Sequence, residues 1–86
     1  MDVRHDCAAH QFWLEPEPGQ RCVLDYQRQG DAVVFTHTGV PAVLQGRGYA
    51  ARLVAAGLQW AGEQRLRVIP ACSYVASYLR RQERRA

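Results

Sequence analysis

Two glycines one residue apart, Gly46 and Gly48, stand where the chain changes its period. Upstream, Ala32 to Thr38 (Ala-Val-Val-Phe-Thr-His-Thr) is rich in β-branched and aromatic residues, the composition of an extended strand. Downstream, Ala50, Leu53, Val54, Gly57, Leu58 and Ala61 recur at the spacing of one helix face, while Arg52, Gln59 and Glu63 fall off it. A strand that turns through glycines into a helix restricts the fold to mixed α/β arrangements. It also creates local chemistry. The first N–H groups of the new helix have no partners and sit at its positive end, and the glycines let backbone approach a ligand closely. Such a junction suits a phosphate, a pyrophosphate above all.

The rest of the chain supplies a short, ordered set of elements. His10 to Glu15 reads as a strand, closed by the turn Glu15-Pro16-Glu17-Pro18-Gly19. Gln20 to Gln27 alternates, with Cys22, Leu24 and Tyr26 on one face. Gln29-Gly30-Asp31 turns the chain into Ala32–Thr38, giving an antiparallel meander of three strands. After the long helix, Leu66 to Ile69 reads as a strand stopped by Pro70, and a last helix starts near Ser73, a good cap residue, running to about Gln82. The order is β-β-β-α-β-α. The crossover helix makes Ala32–Thr38 and Leu66–Ile69 parallel neighbours in a mixed sheet. Residues 1–9 are expected as a loose leader, 10–82 as one domain and 83–86 as a basic tail.

Composition narrows the chemistry. The 86 residues suffice for one modest core. No apolar run approaches the ~20 residues of a membrane span, and Met1 to Asp6 leads into no signal-peptide core, so a cytoplasmic monomer is expected. Cys7, Cys22 and Cys72 are an odd, widely spaced set, and His5, His10 and His37 lack zinc-ligand spacing, which argues against a disulfide framework or a metal site. All 11 basic residues are arginine, which excludes a P-loop lysine. The net charge of +3 is concentrated in Arg80, Arg81, Arg84 and Arg85, where cations suit a helix C-terminus; nucleic acid is not the expected partner.

Gly46-Arg47-Gly48-Tyr49-Ala50-Ala51 fits the dinucleotide pattern G-x-G-x-x-A taken literally. That fold needs an acid at the end of the next strand, where this chain has Arg67-Val68-Ile69-Pro70, and a doubly wound sheet rather than a meander. With its neighbours included, the segment resembles the acetyl-CoA signature of the GNAT superfamily of N-acetyltransferases, Q/R-x-x-G-x-G/A. Gln45, Gly48 and Ala50 meet it, with Val40 at the strand end. His37-Thr38-Gly39-Val40-Pro41 and Val68-Ile69-Pro70-Ala71-Cys72-Ser73-Tyr74-Val75, followed by Tyr78, are similar to a minimal, cysteine-containing branch of that superfamily. The likeness spans roughly residues 10 to 82 and rests on three motifs in order.

The resemblance implies a GNAT-like α/β fold with the two later strands parallel and splayed, and acetyl-CoA as the bound thioester. It implies a CoA loop of Val40, Gln45, Gly46, Arg47, Gly48, Tyr49 and Ala50. The implied activity is transfer of an acetyl group to an amine, on a small molecule or a protein. The early helices and last two strands of longer members, which build their acceptor groove, have no counterpart here, so the acceptor is undefined. The alternative is a CoA- or acyl-CoA-binding module without turnover.

Three side chains are the catalytic candidates. Cys72, at a helix start, is expected to feel the helix dipole and lean toward thiolate, as a nucleophile or a thiol that forms a mixed disulfide with CoA; the plainer reading is a packing residue. His37 shares a strand face with Val33 and Phe35 and is expected near Cys72, as a base or as a core histidine. Tyr78 lies near the position where GNAT enzymes carry a tyrosine that protonates the departing CoA thiolate; packing beside Val75 and Leu79 is its other reading.

Overall fold

Strand alternation decides which residues form the core, and it holds along most of the sheet. The computed structural model describes residues 2–85. Five strands lie in sequence order: β1 (Arg4–Asp6), β2 (Gln11–Glu17), β3 (Gln20–Gln29), β4 (Ala32–Gly39) and β5 (Arg67–Pro70). The first four pair antiparallel, and β4 pairs parallel to β5. A 3-10 turn (Ala42–Leu44) leads to α1 (Tyr49–Glu63), and α2 (Ser73–Arg85) follows β5. The expected α/β class and the parallel pair are both present.

Phe12 and Leu14 of β2, Cys22, Leu24 and Tyr26 of β3, and Ala32, Val33 and Phe35 of β4 are buried. Leu53, Val54, Gly57 and Ala61 of α1 and Val75 of α2 close the same core. Each large side chain buried here contributes roughly 1.5–3 kcal/mol. Gly57 fixes how near α1 comes to the sheet. A Cβ on it would lie 2.9 Å from Leu24 Cδ2 and 3.1 Å from Phe35 Cε1, closer than carbon atoms pack.

Three expectations need correcting. The loose leader contains β1, because His5 has a place to pack: its ring stacks on Phe12 at 4.0 Å, meets Trp60 edge-on at 4.9 Å and hydrogen-bonds Tyr26 Oη at 2.6 Å. The basic tail is no separate segment, since α2 continues to Arg85. Exposed arginines are good helix formers and suit its C-terminal end. Ala86 lies outside the described residues, as does Met1 of the leader.

The third correction concerns β4. Asp25 pairs with His37 but Tyr26 pairs with Phe35, so β4 carries one extra residue, Thr36. Beyond this bulge the alternation is inverted. Leu24 faces the helices and its partner is Thr38; His37 shares the opposite, solvent-facing side with Asp25 and is exposed. The face predicted for His37 belongs to Thr38.

Candidate functional site

Hydrogen bonding between β4 and β5 ends at the pair Phe35–Pro70. Past that point β4 runs on through Thr36 to Gly39 without β5, while the chain after Pro70 turns into α2; a last bond, from Cys72 N–H to the Phe35 carbonyl (2.9 Å), marks the fork. This is the splay expected between the later strands. A cavity of about 270 Å³ lies at its open end, lined by Thr38, Val40, Gln45, Gly46, Gly48, Ala50 and Tyr74.

The loop beside it is shaped by its two glycines. Gly46 and Gly48 have φ of +80° and +86°, the left-handed region that costs other residues about 1–2 kcal/mol. A Cβ on either would meet nothing within 4 Å, so only the backbone conformation calls for glycine there. Helix α1 starts at Gly48 with no side-chain cap, and its first bond runs from Arg52 N–H to the Gly48 carbonyl (3.1 Å). The N–H groups of Tyr49, Ala50 and Ala51 are therefore available to an anion, with the helix dipole behind them. The glycine backbone and these donors fit a pyrophosphate.

Of the predicted loop residues, Val40, Gln45, Gly46, Gly48 and Ala50 line the cavity. Gln45 also holds the loop closed, its Nε2 donating to the Val40 carbonyl at 3.2 Å. Arg47 and Tyr49 are not in the lining. Arg47 reaches Glu17 at 3.6 Å, with both side chains about half exposed (55% and 54%), an ion pair weak enough to open. Tyr49 packs against the core.

Cys72 sits at the start of α2 with its carbonyl accepting from Ala76 N–H (3.1 Å), so it, rather than Ser73, is the capping residue. Its Sγ lies 3.3 Å from Thr38 Oγ1. Burial pushes the thiol's pKa up, but hydrogen bonds from the Thr38 side chain and from the Val75 and Tyr74 backbone more than offset it, and the net shift is downward. A capping thiol with N–H donors around it is biased toward thiolate.

The other two catalytic candidates are not brought to this thiol. His37 is on the far face of the sheet because of the bulge at Thr36. Tyr78 lines a separate cavity of about 360 Å³ with Ala51, Tyr74, Arg81 and Gln82. It lies six positions after Cys72, roughly 9 Å along the helix. Sequence reasoning missed Thr38 and the cavity-lining role of Tyr74. Only the inverted alternation after Thr36 reveals Thr38, and nothing in the residue pattern encodes that bulge.

A larger cavity, about 400 Å³, lies elsewhere, lined by Asp2, Arg4, Trp13, Leu14, Glu15 and Arg21. It holds no thiol and no helix terminus, and Arg21 lies over the Trp13 ring at 3.8 Å. Among the described residues, no group of three or more His, Cys, Asp or Glu could hold a metal ion, and no helix is long and apolar enough to cross a membrane.

Residues 11–86 match a family described as GCN5-related N-acetyl-transferase. Among curated proteins, the chain is similar to Protein NATD1 of Gallus gallus, 33% identical over 82 residues that cover 93% of this chain and 74% of that one. Protein NATD1 of Homo sapiens is 34% identical over 80 residues, covering 91% and 71%, and that of Bos taurus gives the same figures.

Proposed function

Because the chain belongs to the GCN5-related N-acetyltransferase family, we propose that it is an acetyl-CoA-dependent N-acetyltransferase of minimal size, acting in the cytoplasm on an amine. The observation that carries this reading is the fork between β4 and β5, with N–H donors at its mouth and a thiol at its base.

The loop from Gly46 to Ala50 and the first turn of α1 bind the pyrophosphate through backbone N–H groups. Val40, Thr38 and Tyr74 guide the pantetheine arm into the fork, where it lies along the main-chain edge of β4 that continues past the end of β5. Arg47 releases Glu17 and turns its guanidinium to the phosphates.

Cys72 attacks the thioester carbonyl, forming an S-acetyl bond as the CoA–sulfur bond to the acetyl carbon breaks. The departing CoA sulfur takes the proton that Cys72 gives up, relayed through the Thr38 hydroxyl. The acceptor amine then attacks the S-acetyl group, giving the amide and restoring the thiol. Tyr78, lining the adjoining cavity, and His37, on the opposite face, are left out of these steps.

Calorimetry with acetyl-CoA followed by single-turnover mass spectrometry tests the proposal. Binding at micromolar to millimolar ligand, with 42 mass units (about one acetyl group) appearing on Cys72 and passing to an added amine, is the expected result. Binding without any transfer would make the protein a CoA-binding module. No binding would end the reading.

A further inference from the structure

We propose that Cys7, His5 and Tyr26 form a second thiol site, in which His5 is the base that lets Cys7 exchange with small disulfides of the glutathione class. The site is remote from the fork. His5 meets Trp60, near the C-terminal end of α1, whereas the phosphate loop adjoins Ala50, ten residues earlier and about 15 Å along the helix. Its chemistry needs no CoA.

Three side chains meet in the order that activates a nucleophile. Cys7 is exposed in the turn between β1 and β2, and its Sγ lies 3.7 Å from His5 Nδ1 and 3.8 Å from Nε2. Tyr26 Oη engages Nε2 at 2.6 Å, which leaves Nδ1 for the thiol. With its proton on Nε2, His5 donates to the phenol oxygen and offers the Nδ1 lone pair to Cys7. A nucleophile within reach of a base, and a base held by a third group, is the arrangement that turns a weak nucleophile into a working one. The imidazole is fixed by its packing, face-on against Phe12 at 4.0 Å and edge-on to Trp60 at 4.9 Å. Burial lowers its pKa below the ordinary 6.5, against Asp6 and with His10, so the ring is neutral at neutral pH and free to take a proton.

The turn holds the thiol in place. Ala9 N–H donates to Asp6 Oδ1 (3.1 Å) and His10 N–H to the Cys7 carbonyl (3.3 Å). His10 has φ of +55°, uncommon outside glycine, and its ring stacks on Tyr26 at 5.2 Å. Of the other thiols, Cys22 is fully buried and Cys72 partly so.

Disulfide exchange asks for a nucleophile, a base and access, and this site supplies all three. As the Cys7 sulfur attacks one sulfur of the disulfide, its proton passes to Nδ1 and the S–S bond breaks. The departing thiolate takes that proton from the imidazolium. Cys7 is oxidised to the mixed disulfide, and the other half of the small disulfide leaves reduced, as a thiol.

The test adds glutathione disulfide to the full chain and follows the adduct on Cys7 by peptide mass spectrometry between about pH 6.5 and 8. The folded chain should react at least about tenfold faster at neutral pH than the same chain unfolded in urea, with a nearly flat pH profile, because His5 removes the proton. The unfolded chain should instead climb about tenfold per pH unit. The charged neighbours are Asp6 and His10 at the ring and Arg28 at the phenol. His10→Gln should therefore keep the flat profile, whereas His5→Gln should adopt the climb. Tyr26→Phe, which keeps the buried ring, should slow Cys7 several-fold and leave Cys72 unchanged. Circular dichroism checks each variant, and Tyr26→Phe decides if His5→Gln does not fold. A folded-state rate no greater than the unfolded one, a tenfold-per-unit climb in the native chain, or native kinetics in the folded variants of His5 and Tyr26 would overturn the site.

Discussion

Thr38 Oγ1 lies 3.3 Å from Cys72 Sγ, joining two residues 34 positions apart across the fork of the parallel pair. The bulge at Thr36 puts the hydroxyl on this face, and the cap position of α2 puts the thiol there. Neither would meet the other in a sheet with regular alternation.

Replacing the hydroxyl by a methyl group should therefore change the thiol. In Thr38→Val a hydrogen bond that lowers the Cys72 pKa is gone, and burial, which raises it, is left less opposed. Alkylation of Cys72 by iodoacetamide near neutral pH should slow several-fold and its pH–rate curve should move to higher pH, while Thr38→Ser keeps the native curve. An unmoved curve in Thr38→Val would show that the hydroxyl does not tune the thiol.

Alanine at Gly46 or Gly48 should act through the backbone alone. The space for a Cβ is open, but φ of +80° or +86° is not, so each variant should lose about 1–2 kcal/mol of stability in urea melts. Affinity for CoA should drop as well, by more than that loss of stability explains, because relaxing φ swings the N–H donors. A stable variant with native affinity would show that the loop does not hold the ligand.

Gly57 makes the opposite prediction, since its φ is ordinary and its space is not. Side-chain atoms of Leu24 and Phe35, both buried, already occupy the contact shell of any added Cβ. Gly57→Val should cost about 2 kcal/mol or more by lifting α1 from the sheet. A melt within error of the native one would refute the close packing.

His5 should give the fold an acid-sensitive edge. Burial lowers its pKa below the ordinary 6.5, with Asp6 opposing and His10 reinforcing the shift. The unfolded chain then takes up the proton first as pH falls. Stability should be full above about 6.5 and decline as pH drops through that value toward the lower folded-state pKa. Urea midpoints between pH 5 and about 7.5 should show this slope, and His5→Phe should remove its share of it. An identical slope in His5→Phe would place the titration elsewhere.

Much of this was legible in the residues. The period change at Gly46–Gly48 marked the strand, the loop and α1, and the alternation of Cys22, Leu24 and Tyr26 marked the inner face of β3. The crossover rule then made β4 and β5 parallel. What could not be read depends on contacts distant in sequence. The bulge exchanged His37 for Thr38, a change of one residue that local propensity does not register. β1 forms because His5 finds Phe12, Trp60 and Tyr26, 7 to 55 positions away, while its own three residues carry little strand signal. Arg81 read as part of a solvated basic end; α2 carries it on the stripe of Tyr74, with its guanidinium 5.9 Å from that ring.

The central claim is that backbone N–H groups of the glycine loop and the first turn of α1 hold acetyl-CoA by its pyrophosphate. Titration of the isotopically labelled chain with acetyl-CoA, followed by amide NMR shifts, tests it residue by residue. The largest shifts should fall on Gly46, Gly48, Tyr49, Ala50 and Ala51, with Thr38 and Cys72 responding to the thioester arm. Shifts centred on the outer-face cavity around Trp13 and Arg21, or none at saturating ligand, would contradict the account.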